Sequence, residues 1–309
     1  MRVVFAAPAG QFGTVLEAAG VQHYLATYYN PADYRAALKV AAAAPGTCTL
    51  IVDSGAFSAW NSGKAIDIHR YVAFIRRFVS EHGALFKELT FVNLDVIPGT
   101  PGCTITQEQG RDAAAQSYQN YAYLVKETPA TIMPVYHQGE DLAWCERYLE
   151  SAPAYFGISP SNDIQSDGRA RWLDQVFRII PDTVRTHGLA VTSPMLMHQY
   201  PWFSVDSITY KMKAAVGGMM LFMLDEGEPV FLNFDHSAQK DDLPRGPGAR
   251  AALERSCVAL DPRFTLAALR ESYLLRTALN VQTLLTLERW LNAHPCPRRF
   301  AQQLQLEFS

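Results

Sequence analysis

The chain has no C-x-x-C pair, no apolar run long enough to cross a bilayer, no glycine-rich phosphate loop and little excess of charge. Its five cysteines, Cys48, Cys103, Cys145, Cys257 and Cys296, are odd in number and widely scattered. That leaves a disulfide framework unsupported and argues against a zinc knuckle, so reduced thiols in a cytoplasmic protein are expected. Charged residues make up 18% and the net charge is −3, which gives no global attraction to nucleic acid or anionic membrane. A nucleic-acid partner would need a local basic patch. Gly217-Gly218 and Gly246-Pro247-Gly248 match neither G-x-G-x-x-G nor the Walker pattern, and no cofactor is expected. Apolar stretches such as Met219 to Leu224 are too short for a membrane span. The opening Met1–Ala9 loosely resembles a signal peptide, but its apolar part is short and reads better as a first strand.

What the chain does have is a repeated device. Thr49-Leu50-Ile51-Val52-Asp53-Ser54-Gly55-Ala56-Phe57 runs from β-forming residues into an aspartate, then a small turn and an aromatic. Val92-Asn93-Leu94-Asp95 and Phe203-Ser204-Val205-Asp206 repeat the apolar run ending in Asp, and Pro134-Val135-Tyr136-His137-Gln138 ends in two polar groups. A lone Asp-Ser-Gly is usually a turn. Several such endings are how parallel α/β enzymes present catalytic groups.

Strand-like and helix-like segments alternate from the start. Strands are expected at Arg2–Ala7, Val21–Thr27, Thr47–Asp53, Leu89–Asp95, Thr131–Tyr136, Ala154–Ile158, Thr183–Val191 and Trp202–Asp206. Helices are expected between them, among them Pro31 to about Ala44 behind an Asn30 cap, Ile66–His82 and Thr106–Lys126. This alternation reads as a (β/α)₈ TIM barrel over residues 1–215. Residues 216–309 read as an appendage: a hairpin of Met219–Leu224 and Pro229–Asn233 around Asp225–Glu228, a loop over Gln239–Ala249, then helices at Ala249–Val258, Leu266–Leu279 and Val281–Ala293.

A barrel builds its site at strand C-termini, so Asp53, Asp95, His137, Gln138, Ser159, His187 and Asp206 are expected at one mouth. Two carboxylates facing one glycosidic carbon can divide the work, one as nucleophile and one as acid/base. The third, with Gln138, could read a heterocycle edge. A divalent metal on Asp53, Asp95, His137 and Asp206 lacks H-x-H or H-x-x-E spacing, and no metal is expected.

These residues resemble the tRNA-guanine transglycosylase family. Asp53-Ser54-Gly55-Ala56-Phe57 is similar to its Asp-Ser-Gly-Gly-Phe/Tyr-Gln segment, Leu94-Asp95 to its second aspartate, Gln138-Gly139 to its Val-Gln-Gly-Gly segment and Asp206 to its nucleophile, in the family's order. The resemblance implies a TIM barrel that exchanges guanine for a 7-deazaguanine. Asp206 would attack C1′ and Asp53 would be the acid/base. Asp95, Gln138 and backbone near Gly157–Ser159 would read the base. His137, His187, Ser54 and Phe57 would line the same site. The chain departs from the family at Ala56 and Glu140, lacks its C-x-C-x-x-C zinc cluster, and has Ser207-Ile208-Thr209-Tyr210 where a basic segment normally follows the nucleophile. It looks more similar to the shorter phage and bacterial branch that modifies DNA, with tRNA as the alternative substrate and a free 7-deazaguanine base as co-substrate. Lys211, Lys213, Arg245, Arg250, Arg298 and Arg299 are candidate DNA contacts. The modest charge also leaves room for a partner subunit that supplies DNA binding. A glycoside or nucleoside hydrolase would use the same carboxylate pair.

Overall fold

The computed structural model describes residues 1–99, 106–161, 164–223, 228–233 and 246–296. Its centre is a parallel sheet of β1 (Arg2–Ala6), β2 (His23–Thr27), β3 (Thr49–Asp53), β4 (Glu88–Val92), β5 (Thr131–Met133), β6 (Val135–His137), β7 (Tyr155–Ser159), β8 (Arg185–Gly188) and β9 (Ser204–Ser207). The strand order is β5-β4-β3-β2-β1-β9-β8-β7-β6. The two ends of this order are consecutive in sequence. β5 pairs with β4 and β6 pairs with β7, and only Pro134 separates them.

Pro134 has no N–H to give to a ladder, which breaks the run in two. Its carbonyl still accepts the Gly157 N–H at 2.8 Å. β5 and β6 are thus the two halves of one strand that leans on both neighbours, and the ring closes with eight strand positions. This is the TIM-barrel fold expected from the alternation, with the fifth strand interrupted at its proline.

Period-two alternation decides which side chains enter the ring. Val3, Phe5, Leu50, Val52, Phe91, Phe156, Ile158 and Val205 face the helices in the larger core. Val4, Ile51, Val92, Met133, Val135 and Tyr155 pack with one another in the interior. By the same parity Asp53, His137, Ser159 and Asp206 point inward at the upper ends of their strands.

Helices follow the strands, including Gln11–Ala18, Pro31–Ala43, Ile68–His82, Gln107–Glu127, Leu142–Glu150 and Ser166–Ile179. Asn30 caps the second, accepting from Ala32 N, and Thr106 and Gln109 form a capping box on the fourth. Two short helices, Ala56–Asn61 and Thr209–Ala215, form in segments that the sequence reading left unassigned. They follow β3 and β9, each carrying side chains of the mouth.

Beyond the ring, β10 (Gly218–Met223) and β11 (Glu228–Asn233) form an antiparallel pair. The expected hairpin loop falls partly on residues 224–227, which lie outside the described residues. A helix over Pro247–Leu260 replaces the end of the expected loop at Ala249. The last two helices are Leu266–Glu271 and Tyr273–Ala293, divided at Ser272 and not near Asn280 as the sequence reading had it. Ser272 caps the long helix by accepting from Leu275 N. Asn280 is fully buried inside it, where its Oδ1 accepts from Met220 N at 2.6 Å and its Nδ2 donates to Tyr210 O at 2.9 Å. Thr283 Oγ1 donates to Met220 O at 2.7 Å. These two side chains satisfy the backbone of β10 where it meets the helix, so polar residues that look like a helix break are anchors. A second apolar core, with Met219, Leu253, Phe264, Leu269 and Leu279, lies under this region.

Candidate active site at the barrel mouth

The turn after β3 is set by packing. Gly55 has φ +80°, and a Cβ there would lie 2.4 Å from Tyr29 Cβ and 2.7 Å from Thr27 Oγ1. Its N–H donates to Asp53 Oδ2 at 3.1 Å. The glycine therefore lets the chain turn against β2 and pins one oxygen of Asp53. Burial pushes Asp53 up to about 7, aided by the charges of Asp95 and Asp206, while the N–H groups of Gly55 and Ser54 pull the other way. Asp53 thus feels both other aspartates across the mouth. Ser54 itself is buried in the turn.

Asp95 stands just beyond β4. Its Oδ2 lies 3.1 Å from His137 Nε2, and its Oδ1 accepts from Asn93 Nδ2 at 2.9 Å. Asn93 is fully buried and also donates to Ser117 O at 2.9 Å. The sequence reading took Asn93 as part of a strand end. Its role as the holder of Asp95 carries no local signal, because Ser117 comes from the middle of the next helix, Gln107–Glu127. Glu140, read as a departure from the family pattern, accepts from His137 N at 3.2 Å. Burial raises its pKa, against the influence of His137.

Asp206 is held from the β8 side. Its Oδ1 accepts the Ala190 N–H at 2.8 Å and lies 3.3 Å from His187 Nε2. His187 is fully buried. It sits under Asp206, with no surface open to a ligand, which corrects its expected place in the lining of the mouth. The inward parity of β8 is right, but His187 lies one layer lower, opposite Gly157 and Ser204 in the register.

Gly157 is also interior wall. A Cβ there would come within 3.0 Å of both Leu189 and Val135, and its N–H is used by Pro134. Ser159, at the end of β7, accepts the Gln138 N–H at 3.0 Å. The Gln138 amide faces the same loop: Oε1 accepts from Ser161 N at 3.0 Å, and Nε2 stands 3.5 Å from Gly168 O. Gln138 holds the segment after β7 in place.

The rim is apolar. Phe57 is 63% exposed and lies against Trp60, with ring centroids 5.9 Å apart. Trp60 Nε1 donates to Gly99 O at 2.8 Å. Val96, Ile164, Met195, Ile208 and Met212 are exposed in the segments that follow β4, β7, β8 and β9.

The basic candidates separate. Lys211 Nζ donates to Ala7 O at 2.8 Å, lies 4.9 Å from the Phe12 ring centroid and feels Asp33. It is half-buried and occupied inside the protein, unlike the open phosphate contact expected. Lys213 and Arg250 are exposed. Arg245, Arg298 and Arg299 lie outside the described residues, as does Cys103. Among the described residues no three His, Cys, Asp or Glu side chains gather in a metal-binding arrangement. No helix among the described residues is long and apolar enough to cross a membrane.

No family model and no curated protein matches the chain. Solved structures that resemble it include one described as "Native KDPGal structure", with a TM-score of 0.44, 9% identity, and coverage of 94% of this chain and 95% of that one. A probable tagatose 6 phosphate kinase from Sinorhizobium meliloti 1021 has a TM-score of 0.42 at 10% identity, covering 94% and 86%. KGPDC from Streptococcus mutans has a TM-score of 0.35 at 9% identity, covering 66% and 86%. At such identities and TM-scores these likenesses bear on neither activity nor substrate.

Proposed function

We propose that the chain is an enzyme, a base-exchange transglycosylase that replaces guanine in DNA with a 7-deazaguanine through a covalent Asp206 intermediate. The observation that carries this reading is the convergence of Asp53, Asp95 and Asp206 on one barrel mouth, with Asp53 feeling both other charges. A carboxyl with a pKa near neutrality can give and take a proton at working pH. A second carboxylate, held by a backbone N–H and facing the same space, can trap an oxocarbenium-like carbon.

In the first half-reaction an Asp206 oxygen attacks C1′. The C1′–N9 bond breaks, its electron pair leaves with guanine, and protonated Asp53 supplies the proton that the departing base needs. In the second, the Asp53 carboxylate takes the proton from N9 of the incoming 7-deazaguanine. N9 attacks C1′, the ester C–O bond breaks, and Asp206 is regenerated. Asp95, anchored by Asn93 and His137, is the carboxylate left to accept donors from the base edge. The exposed Phe57–Trp60 pair and the apolar rim suit the faces of an unstacked base. The bound Lys211 and the net charge of −3 fit a protein whose hold on the DNA backbone is modest or is supplied by a partner subunit.

The test is release of labelled guanine from DNA, and separately from tRNA, with 7-cyano-7-deazaguanine present. Release from DNA with incorporation of the deazaguanine, lost in Asp206→Ala, is expected. Release from tRNA alone would replace the substrate. Release without incorporation would make the enzyme a hydrolase.

A further inference from the structure

Behind Asp206 runs a file of polar groups that the reaction above does not use. Tyr155 OH bonds Ser204 Oγ, and Ser204 Oγ stands 2.5 Å from His187 Nδ1. His187 Nε2 stands 3.3 Å from Asp206 Oδ1. Ser204 is 1% exposed, His187 0% and Tyr155 4%, so bulk solvent does not reach these contacts. His187 Nε2 makes no hydrogen bond of good geometry and is buried. Residues lining the cavity at the lower end of the barrel include Tyr155 and Ser204, with Arg2, Glu88 and Thr90. The file therefore leads from the barrel interior up to the mouth.

Donor counting fixes its direction. A phenol and a serine hydroxyl each have one proton to give, and a neutral imidazole has one N–H. If His187 carried its proton on Nδ1, the bare lone pair of Nε2 would face a carboxylate oxygen in a dry interior. If Tyr155 donates to Ser204 and Ser204 donates to Nδ1, the imidazole proton sits on Nε2, on the side where Asp206 Oδ1 stands 3.3 Å away. The second arrangement leaves fewer buried lone pairs opposed and is the favoured one.

The other donor to Asp206 has a structural cost of its own. Ala190 has φ +52°, an unfavourable conformation for a residue with a Cβ, and its N–H donates to Asp206 Oδ1 at 2.8 Å. The Ala190 N–H and His187 Nε2 thus both lie on the Oδ1 side, and among the described residues no donor bonds Oδ2.

We infer that Tyr155, Ser204 and His187 form a positioning relay that, with Ala190 N–H, occupies Asp206 Oδ1 and leaves Oδ2 as the oxygen that attacks C1′. The inference rests on the reading of Asp206 as nucleophile. His187 does not touch substrate. It fixes the rotamer of the carboxylate and selects which oxygen is free, the part a buried carboxylate plays for histidine in hydrolase triads with the roles exchanged.

The tautomer of His187 is readable without activity. In ¹⁵N-histidine NMR of the whole protein, the His187 tautomer is expected to carry its proton on Nε2. An Nδ1–H form overturns the relay whatever the enzyme does. Ser204→Ala removes the donor to Nδ1 with a small change of volume. Losing a hydrogen bond that supports a charged group lowers kcat on the order of ten- to a hundred-fold. KM for the free base is expected to stay unchanged, and Ser204→Thr is expected to restore part of kcat. A folded Ser204→Ala protein with wild-type kcat would overturn the relay. Tyr155→Phe keeps the ring and serves as the second variant if Ser204→Ala fails to fold, with a smaller loss in the same direction. A wild-type protein with Nε2–H but no covalent DNA adduct at Asp206 would overturn the nucleophile reading and, with it, only the choice of oxygen.

Discussion

His137 is held between two carboxylates: its Nε2 lies 3.1 Å from Asp95 Oδ2, and its backbone N–H donates to Glu140 Oε2 at 3.2 Å. Burial alone would lower its pKa, but the hydrogen bond and charge of Asp95, with Glu140, outweigh this and raise it above the ordinary histidine value. Asp95→Asn removes the charge and keeps the shape. The His137 pKa is then expected to fall below that of the wild type in an NMR titration. An unchanged value would show that Asp95 is not the group that holds the imidazolium.

Asp53 gives a pH dependence in both activity and stability. Its folded pKa of about 7 lies above the ordinary 3.8. Between these values the folded protein keeps a proton that the unfolded chain releases, so Asp53 erodes stability as pH rises from 3.8 to about 7. Asp53→Asn is expected to raise Tm at mildly alkaline pH, by a margin that vanishes in acid. The same variant is expected to lose about 10²- to 10⁴-fold in rate, the usual worth of a general acid/base. Base release by the wild type is expected to decline above the Asp53 pKa. A flat profile through neutrality would remove Asp53 as the acid.

Gly55→Ala tests the turn that presents Asp53. The new Cβ would meet the Tyr29 and Thr27 side chains at 2.4 and 2.7 Å, at a φ of +80°. A loss of about 2 kcal/mol or more is expected from denaturant titration, with activity falling further than stability alone explains. Wild-type stability would mean that the turn relaxes without cost.

Phe57→Ala tests the rim. Phe57 is 63% exposed, so Tm is expected to stay within a degree or so of wild type while KM for DNA rises. Loss of one stacked base is worth about 1–3 kcal/mol, which is roughly a ten- to hundred-fold rise. An unchanged KM would place the base elsewhere on the rim.

Glu88 lies at the opposite end of the barrel, 2.9 Å from Arg2 and 3.1 Å from Arg185. The Arg2 hydrogen bond holds its carboxyl below the ordinary value, with Arg185 adding to it. That stabilisation is present above the unfolded pKa and disappears as pH falls through the folded one. Glu88→Gln is expected to cost about 1 kcal/mol at neutral pH, less in acid, and to leave kcat unchanged. A large change in kcat would mean that the two barrel ends are coupled.

The sequence by itself determined the ring of alternating elements and the chain positions of the strand-end aspartates. Both follow from local pattern: period-two apolar runs, helix caps, and the serine after Asp53 and after Asp206. It also determined the hairpin and the helical character of the last third. It misread the last helix as broken near Asn280, because a buried Asn among leucines looks like a cap until β10 is beside it. It did not distinguish one continuous strand from two at Pro134, since closure depends on what β7 offers the proline carbonyl.

Only the tertiary structure decided who holds whom. Asn93 holds Asp95, Ala190 holds Asp206 with His187 beneath it, and Gln138 turns from the mouth to the loop after β7. Those partners lie far apart in sequence and meet only because a closed parallel ring brings strand ends together. The height of each inward residue in that ring, which sinks His187 below Asp206, comes from the register between strands. No single segment encodes a register, because it is fixed by how every neighbouring pair packs at once.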